Sequence, residues 1–130
     1  MIIVDASVVV DLLVKPPAEV AHMRARLIDE RIGHVPHLLD VEVTHALRRL
    51  LLTGRLNDLS ARRALRDVAL MGLKRWPHRP LLNRVLALRD QLTAYDAIYV
   101  AMAEGTGATL LTRDARLARA TGHRARIEVV

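Results

Sequence analysis

Short apolar runs alternate with apolar positions at helical spacing along the 130 residues. Ile2, Ile3 and Val4 form an unbroken apolar triplet of the kind a buried strand shows. Ser7 then opens a helical run that must stop before Pro16 and Pro17, because proline lacks the amide hydrogen and its ring clashes with the preceding turn. Over residues 18–30, Val20, Met23, Leu27 and Ile28 recur at helical spacing, and residues 34–36 suit a second short strand. Leu39, Val43, Ala46, Leu47, Leu50 and Leu51 mark an amphipathic helix ending near Gly54. A further helix is expected from Asp58 or Ser60 to Met71, closed by Gly72, with a strand near residues 73–76. Pro80 suits the first position of a helix over residues 80–92. The next helix, over residues 94–104, places Tyr95, Ile98, Tyr99 and Met102 on one stripe. After the break at Gly105 and Gly107, residues 108–111 read as a strand, 115–120 as a helix and 127–130 as a last strand. This alternation predicts an α/β fold, a single domain whose short, mainly parallel central sheet is flanked by helices.

Composition changes that picture little and the partner question more. A hydrophobic content of 52% supports one well-filled core, and neither a Gly/Ser linker nor a solenoid repeat divides the chain. The opening apolar run has no basic leader and is cut by Asp5 and Asp11, so it fits neither a signal peptide nor a membrane span, and a cytoplasmic protein is expected. The absence of cysteine excludes disulfides, thiolate metal ligands and a cysteine nucleophile. The formal charge of +6 rests on 20 basic residues, all Arg except Lys15 and Lys74. Guanidinium groups match phosphate oxygens with a planar, two-pronged donor geometry, so a nucleic-acid backbone is a more natural partner than a membrane patch.

Four acidic residues stand where such a fold gathers its chemistry. In open α/β sheets functional groups collect beyond the carboxyl ends of strands, where the chain turns into a helix. Asp5 follows the first strand directly, Asp114 follows the strand that leads into Thr112 and Arg113, Asp96 lies in the first turn after Thr93, and Glu42 lies near the start of the helix after Pro36. Asp at a helix start also caps backbone N–H groups, and Thr93-Ala94-Tyr95-Asp96 has the capping-box spacing. Taken singly, Asp96 and Asp114 are better explained as caps. Asp5 is harder to explain that way, because a carboxylate ending a buried strand is costly unless it reaches a cation or water. Glu42 is also a poorer cap than Asp40.

Three phrases carry a family resemblance: Ile3-Val4-Asp5-Ala6-Ser7-Val8-Val9, the run from Leu92-Thr93-Ala94-Tyr95-Asp96-Ala97 to Glu104, and Leu110-Leu111-Thr112-Arg113-Asp114. In order and spacing the chain resembles the PIN-domain family, specifically the VapC-type toxins of bacterial toxin–antitoxin modules. The resemblance implies that Asp5, Glu42, Asp96 and Asp114 form an acidic cluster, with Ser7 and Thr112 as supporting hydroxyls. It further implies cleavage of single-stranded or loop RNA by water, giving a 5′ phosphate and a 3′ hydroxyl. It also implies a homodimer and a small antitoxin whose C-terminal segment covers the acidic site. One departure stands at His45, where the family often has Asn three residues after the Glu. That histidine could contact a phosphate or orient the Glu42 carboxylate, although an ordinary place on the helix surface explains it more simply.

The chemistry expected of the cluster follows from its donors. Hard divalent ions prefer oxygen ligands, so Asp5, Asp96 and Asp114 are the expected ligands for Mg²⁺ or Mn²⁺, with Glu42 completing the site and positioning the attacking water. Aromatic residues are limited to Trp76, Tyr95 and Tyr99, so RNA binding should rest on Arg rather than on stacking. Arg48, Arg49, Arg62, Arg63 and Arg66 could form an RNA-facing surface or simply a solvated one. Two other readings stay open. One is a non-catalytic RNA- or protein-binding module in which the acids only cap helices. The other is an aspartate-based phosphohydrolase, which the missing second Asp two residues after Asp5 makes less fitting.

Overall fold

Strand β1 (Ile2–Val4) is wholly buried and lies at the centre of a sheet of five strands. All residues, 1–130, are described by the computed structural model. The other strands are β2 (Gly33–Pro36), β3 (Lys74–Trp76), β4 (Thr109–Thr112) and β5 (Arg126–Val129). Every pairing is parallel, and the order is β3-β2-β1-β4-β5. Because β2 flanks β1 on one side and β4 on the other, the strand order reverses at β1, the kind of place where a crevice opens in such sheets.

Seven helices link and cover the strands: α1 (Ala6–Val14), α2 (Ala21–Glu30), α3 (Leu38–Leu52), α4 (Asp58–Leu70), α5 (Leu82–Ala87), α6 (Ala94–Thr106) and α7 (Ala115–Arg119). Helix α6 packs across β1, β2 and β4, with α5 against it, while α1 packs on α3 and α4. The run from Ala97 to Ala103 is buried without a break, because α6 is surrounded by protein rather than half-exposed. Its end is set by Gly107 at φ 69°, a left-handed turn that suits a residue without a side chain.

The α/β class, the parallel sheet and all five strands agree with the sequence reading. Two helices are shorter than the apolar spacing suggests. Residues 16–20 form a turn, with Glu19 and Val20 N–H donating to the carbonyls of Pro16 and Pro17, so α2 begins at Ala21 rather than at residue 18. The helix expected over residues 80–92 is a 3₁₀ turn (Arg79–Leu81) followed by α5 alone.

Candidate active site

The register of the two central strands brings the first pair of acids together. Ile2, Ile3 and Val4 pair with Thr109, Leu110 and Leu111, so the chain leaves β1 at Asp5 and β4 at Arg113 side by side. The Asp5 N–H continues the ladder, donating to the Leu111 carbonyl at 2.9 Å. Although Asp5 occupies the N-cap position of α1, its side chain makes no capping bond. Its Oδ2 instead accepts from Ser7 Oγ at 2.6 Å and from Thr112 Oγ1 at 2.7 Å. The fully buried Thr112 hydroxyl also accepts from the Asp114 N–H at 3.0 Å, and Ser7 Oγ accepts from the Arg113 N–H at 3.0 Å. The two hydroxyls thus hold the Asp5 carboxylate and the turn after β4 in fixed relation, and both bonds to Asp5 use a single oxygen.

The other acids come from helix starts. Thr93 caps α6 by accepting from the Asp96 N–H at 3.3 Å. Glu42 sits early in α3, and its Oε2 accepts from the buried Tyr99 phenol at 2.5 Å. Asp114 does cap its helix: Oδ1 accepts from the Arg116 N–H at 2.8 Å, and the carboxylate also meets the Arg116 guanidinium at 2.8 Å. All four carboxylates line one cleft of about 810 Å³, shared with His45, Arg49, Tyr95 and Arg113.

Electrostatics separate the four. Burial raises the Glu42 carboxyl to about 7; the Tyr99 hydrogen bond opposes the rise, and repulsion from Asp5 and Asp96 adds to it. Burial likewise holds Asp96 above its ordinary value, with repulsion from Asp5 and Asp114 contributing. The Arg116 hydrogen bond holds Asp114 below its ordinary value. Neither Glu42 nor Asp96 is paired with a basic side chain. In the conformation seen, no three His, Asp or Glu side chains close around a point where an ion would sit. The donor set suits a divalent cation: all are oxygen, they share one cleft, and a bound cation would offset both the burial that chiefly raises Glu42 and Asp96 and the repulsion from neighbouring acids that adds to it.

Several neighbours differ from expectation. Asp40 does not cap α3; it forms a two-pronged pair with Arg75 at 2.6 and 2.8 Å. Tyr95 is not part of the apolar stripe but stands 62% exposed on the cleft. Of the five arginines on α3 and α4, all exposed, Arg49 lines the cleft. Arg113 also lines it, with Nε 2.9 Å from Asp11, a role with no signal in local spacing. His45 is exposed on the cleft and makes no protein hydrogen bond that would tie it to Glu42.

A parallel sheet with acids gathered at its point of strand reversal defines an α/β domain with a carboxylate-lined cleft. The PIN domain family model matches residues 2–122, and the chain belongs to that family, among its VapC-type ribonucleases. It is 43% identical over 129 residues to ribonuclease VapC1 of Mycobacterium tuberculosis, covering 98% of this chain and 96% of the relative. Among solved structures, PAE2754 from Pyrobaculum aerophilum superposes with a TM-score of 0.70 at 29% identity, over 98% of this chain and 83% of that one. VapBC2 from Rickettsia felis, crystallised with a DNA fragment from its promoter, superposes with a TM-score of 0.71 at 14% identity over 99% of this chain and 98% of that one.

Proposed function

We propose that this ribonuclease is a Mg²⁺- or Mn²⁺-dependent endonuclease acting on RNA through Asp5, Glu42, Asp96 and Asp114, and that it serves as the toxin of a toxin–antitoxin pair. The observation that carries this reading is the convergence of four carboxylates from four separate elements on one cleft, two of them raised by burial and mutual repulsion. Such a cluster is costly to maintain unless it meets a cation.

A phosphodiester is a poor electrophile screened by its own negative charge. A divalent ion supplies a nucleophilic water at neutral pH and compensates charge on the phosphoryl oxygens. Asp5, Asp96 and Asp114 are the residues to hold it. Ser7 and Thr112 keep the Asp5 carboxylate from turning, and both spend their bonds on Oδ2, which leaves Oδ1 without a protein partner. Asp114 must release Arg116 to take part, which its exposed, surface-lying partner permits. Glu42 faces the same cleft and orients the attacking water. Arg49 and Arg113 on the cleft supply guanidinium groups for flanking phosphates.

The name VapC1 of the 43% identical relative and the fold likeness to VapBC2 support a small antitoxin as partner. A homodimer fits the same reading, and size-exclusion chromatography with light scattering measures it. No helix is long and apolar enough to cross a membrane.

The test is cleavage of labelled single-stranded RNA with Mn²⁺, with EDTA, and by Asp5→Asn. EDTA should abolish cleavage, and Asp5→Asn should lower it by about 100-fold or more, since losing even the partners behind a metal ligand costs roughly 10–100-fold. Undiminished cleavage by folded, nuclease-free Asp5→Asn protein would overturn the assignment. Titration calorimetry separates the non-catalytic reading: Mn²⁺ binding lost in Asp5→Asn and Asp114→Asn supports the metal site, and its absence in the wild type favours simple capping.

A further inference from the structure

Tyr99 lies one helical turn after Asp96 on α6, with its ring in the core at 1% exposure. Its phenol donates to Glu42 Oε2 at 2.5 Å, across 57 residues of sequence. That is the one hydrogen bond the Glu42 carboxylate makes to the protein. Packing alone would be served by phenylalanine, which fills almost the same space without a hydroxyl to satisfy. A buried hydroxyl costs free energy unless it finds a partner, and here the partner is an acid of the cleft.

Glu42 has reason to leave that position. Burial disfavours its charge, and Asp5 and Asp96 repel it. Its neighbours Val41, Thr44 and His45 are exposed, so a rotation on α3 would carry the carboxylate toward water. The phenol is the contact that opposes this rotation, and it reaches Glu42 from the same helix that carries Asp96.

We propose that Tyr99 is a positioning residue whose hydroxyl holds Glu42 in the cleft and fixes the acid of α3 relative to Asp96 of α6. The inference rests on the nuclease reading of the cleft. Tyr99 touches neither substrate nor cation in this role; it acts through Glu42. Trp76 and Tyr95, the other aromatic residues, are exposed and donate to neither Glu42 nor any other cleft acid.

The experiment is a double-mutant cycle of Tyr99→Phe and Glu42→Gln in the full chain, read by RNA turnover and by Mn²⁺ titration calorimetry. Loss of a hydrogen bond to a charged group predicts a fall in kcat of about tenfold or more for Tyr99→Phe, with KM little changed. In the Glu42→Gln background the same substitution should cost less than about twofold, because the group it positions is already gone. Glu42→Asp, which keeps the charge but draws the carboxylate back by one methylene, should lose as much as Tyr99→Phe, and it also serves should Tyr99→Phe fail to fold. A hydroxyl needed only for the fold would lower the melting temperature and cost activity equally in both backgrounds, which overturns the proposal. Wild-type turnover by folded Tyr99→Phe or by Glu42→Asp overturns it too while leaving the nuclease reading intact. Absence of metal-dependent turnover and of Mn²⁺ binding in the wild type sinks the nuclease reading, and this inference with it.

Discussion

At the residue scale, the most strongly held acid lies away from the cleft. Glu104 accepts two bonds from Arg84, at 2.8 and 2.9 Å, and one from the Arg124 N–H at 2.8 Å, while Arg84 also donates to the Gly122 carbonyl. These bonds tie the turn before β5 to α5 and α6. The Arg84 hydrogen bond, followed in importance by the opposing effect of burial, leaves the Glu104 carboxyl at about 2 instead of 4.5. A carboxyl depressed in the folded state binds protons more readily when unfolded, so its stabilisation is present above about 4.5 and is lost as pH falls toward 2. Glu104→Gln should therefore lower stability by about 1–2 kcal/mol at pH 7, with the gap from wild type closing between pH 4.5 and 2. Urea unfolding across that range measures it, and a gap independent of pH would show that the charge is not what stabilises this turn.

At the element scale, α6 carries both an acid of the cleft and the residue that steadies another, so its start must be well placed. Thr93 supplies the cap, and Thr93→Ala should cost about 1 kcal/mol of stability. It should also weaken Mn²⁺ binding, since a frayed first turn releases Asp96; thermal unfolding and calorimetry on the same variant check both effects. Strands and long helices were legible in the sequence because each is written in local order, as apolar triplets and helical spacing, whereas the four acids stood out as a group only through the family resemblance, since Asp96 and Asp114 taken singly read as helix caps. What was not legible depends on distant partners or on hydrogen-bond geometry. Asp40 looked like the natural cap of α3 because Arg75, 35 residues later, is invisible to local spacing. Tyr95 shares a helical stripe with Tyr99, yet it lies in the first turn, beyond the reach of the core. The leucines after Pro80 have helical spacing throughout, but the backbone tightens into i-to-i+3 bonds at Leu88, Arg89 and Gln91 and the helix ends. The Tyr99 hydroxyl had one sequence clue, its place one turn from Asp96, although nothing local pointed to Glu42.

At the scale of the whole molecule, a chain of net charge +6 carries a cleft lined by acids. A bare acidic cleft repels the phosphodiester it must hold, so RNA affinity in EDTA has to come from the arginines around it. Arg49 and Arg113 line the cleft itself, whereas Arg62 on α4 is not among the residues that line it. Each phosphate neutralised on a single strand contributes about −0.7 to the slope of log affinity against log salt. Binding of a short single-stranded RNA in EDTA should therefore weaken steeply as KCl rises. Arg49→Ala should flatten that slope by about one phosphate's share, or ~0.7, and Arg62→Ala should leave it unchanged. Added Mn²⁺ should strengthen binding in the wild type and much less in Asp5→Asn, because only an intact acidic cluster converts the repulsive centre of the cleft into an attractive one. Fluorescence anisotropy over a KCl series gives all three slopes, and equal slopes for wild type and Arg49→Ala would place the RNA path off the α3 wall of the cleft.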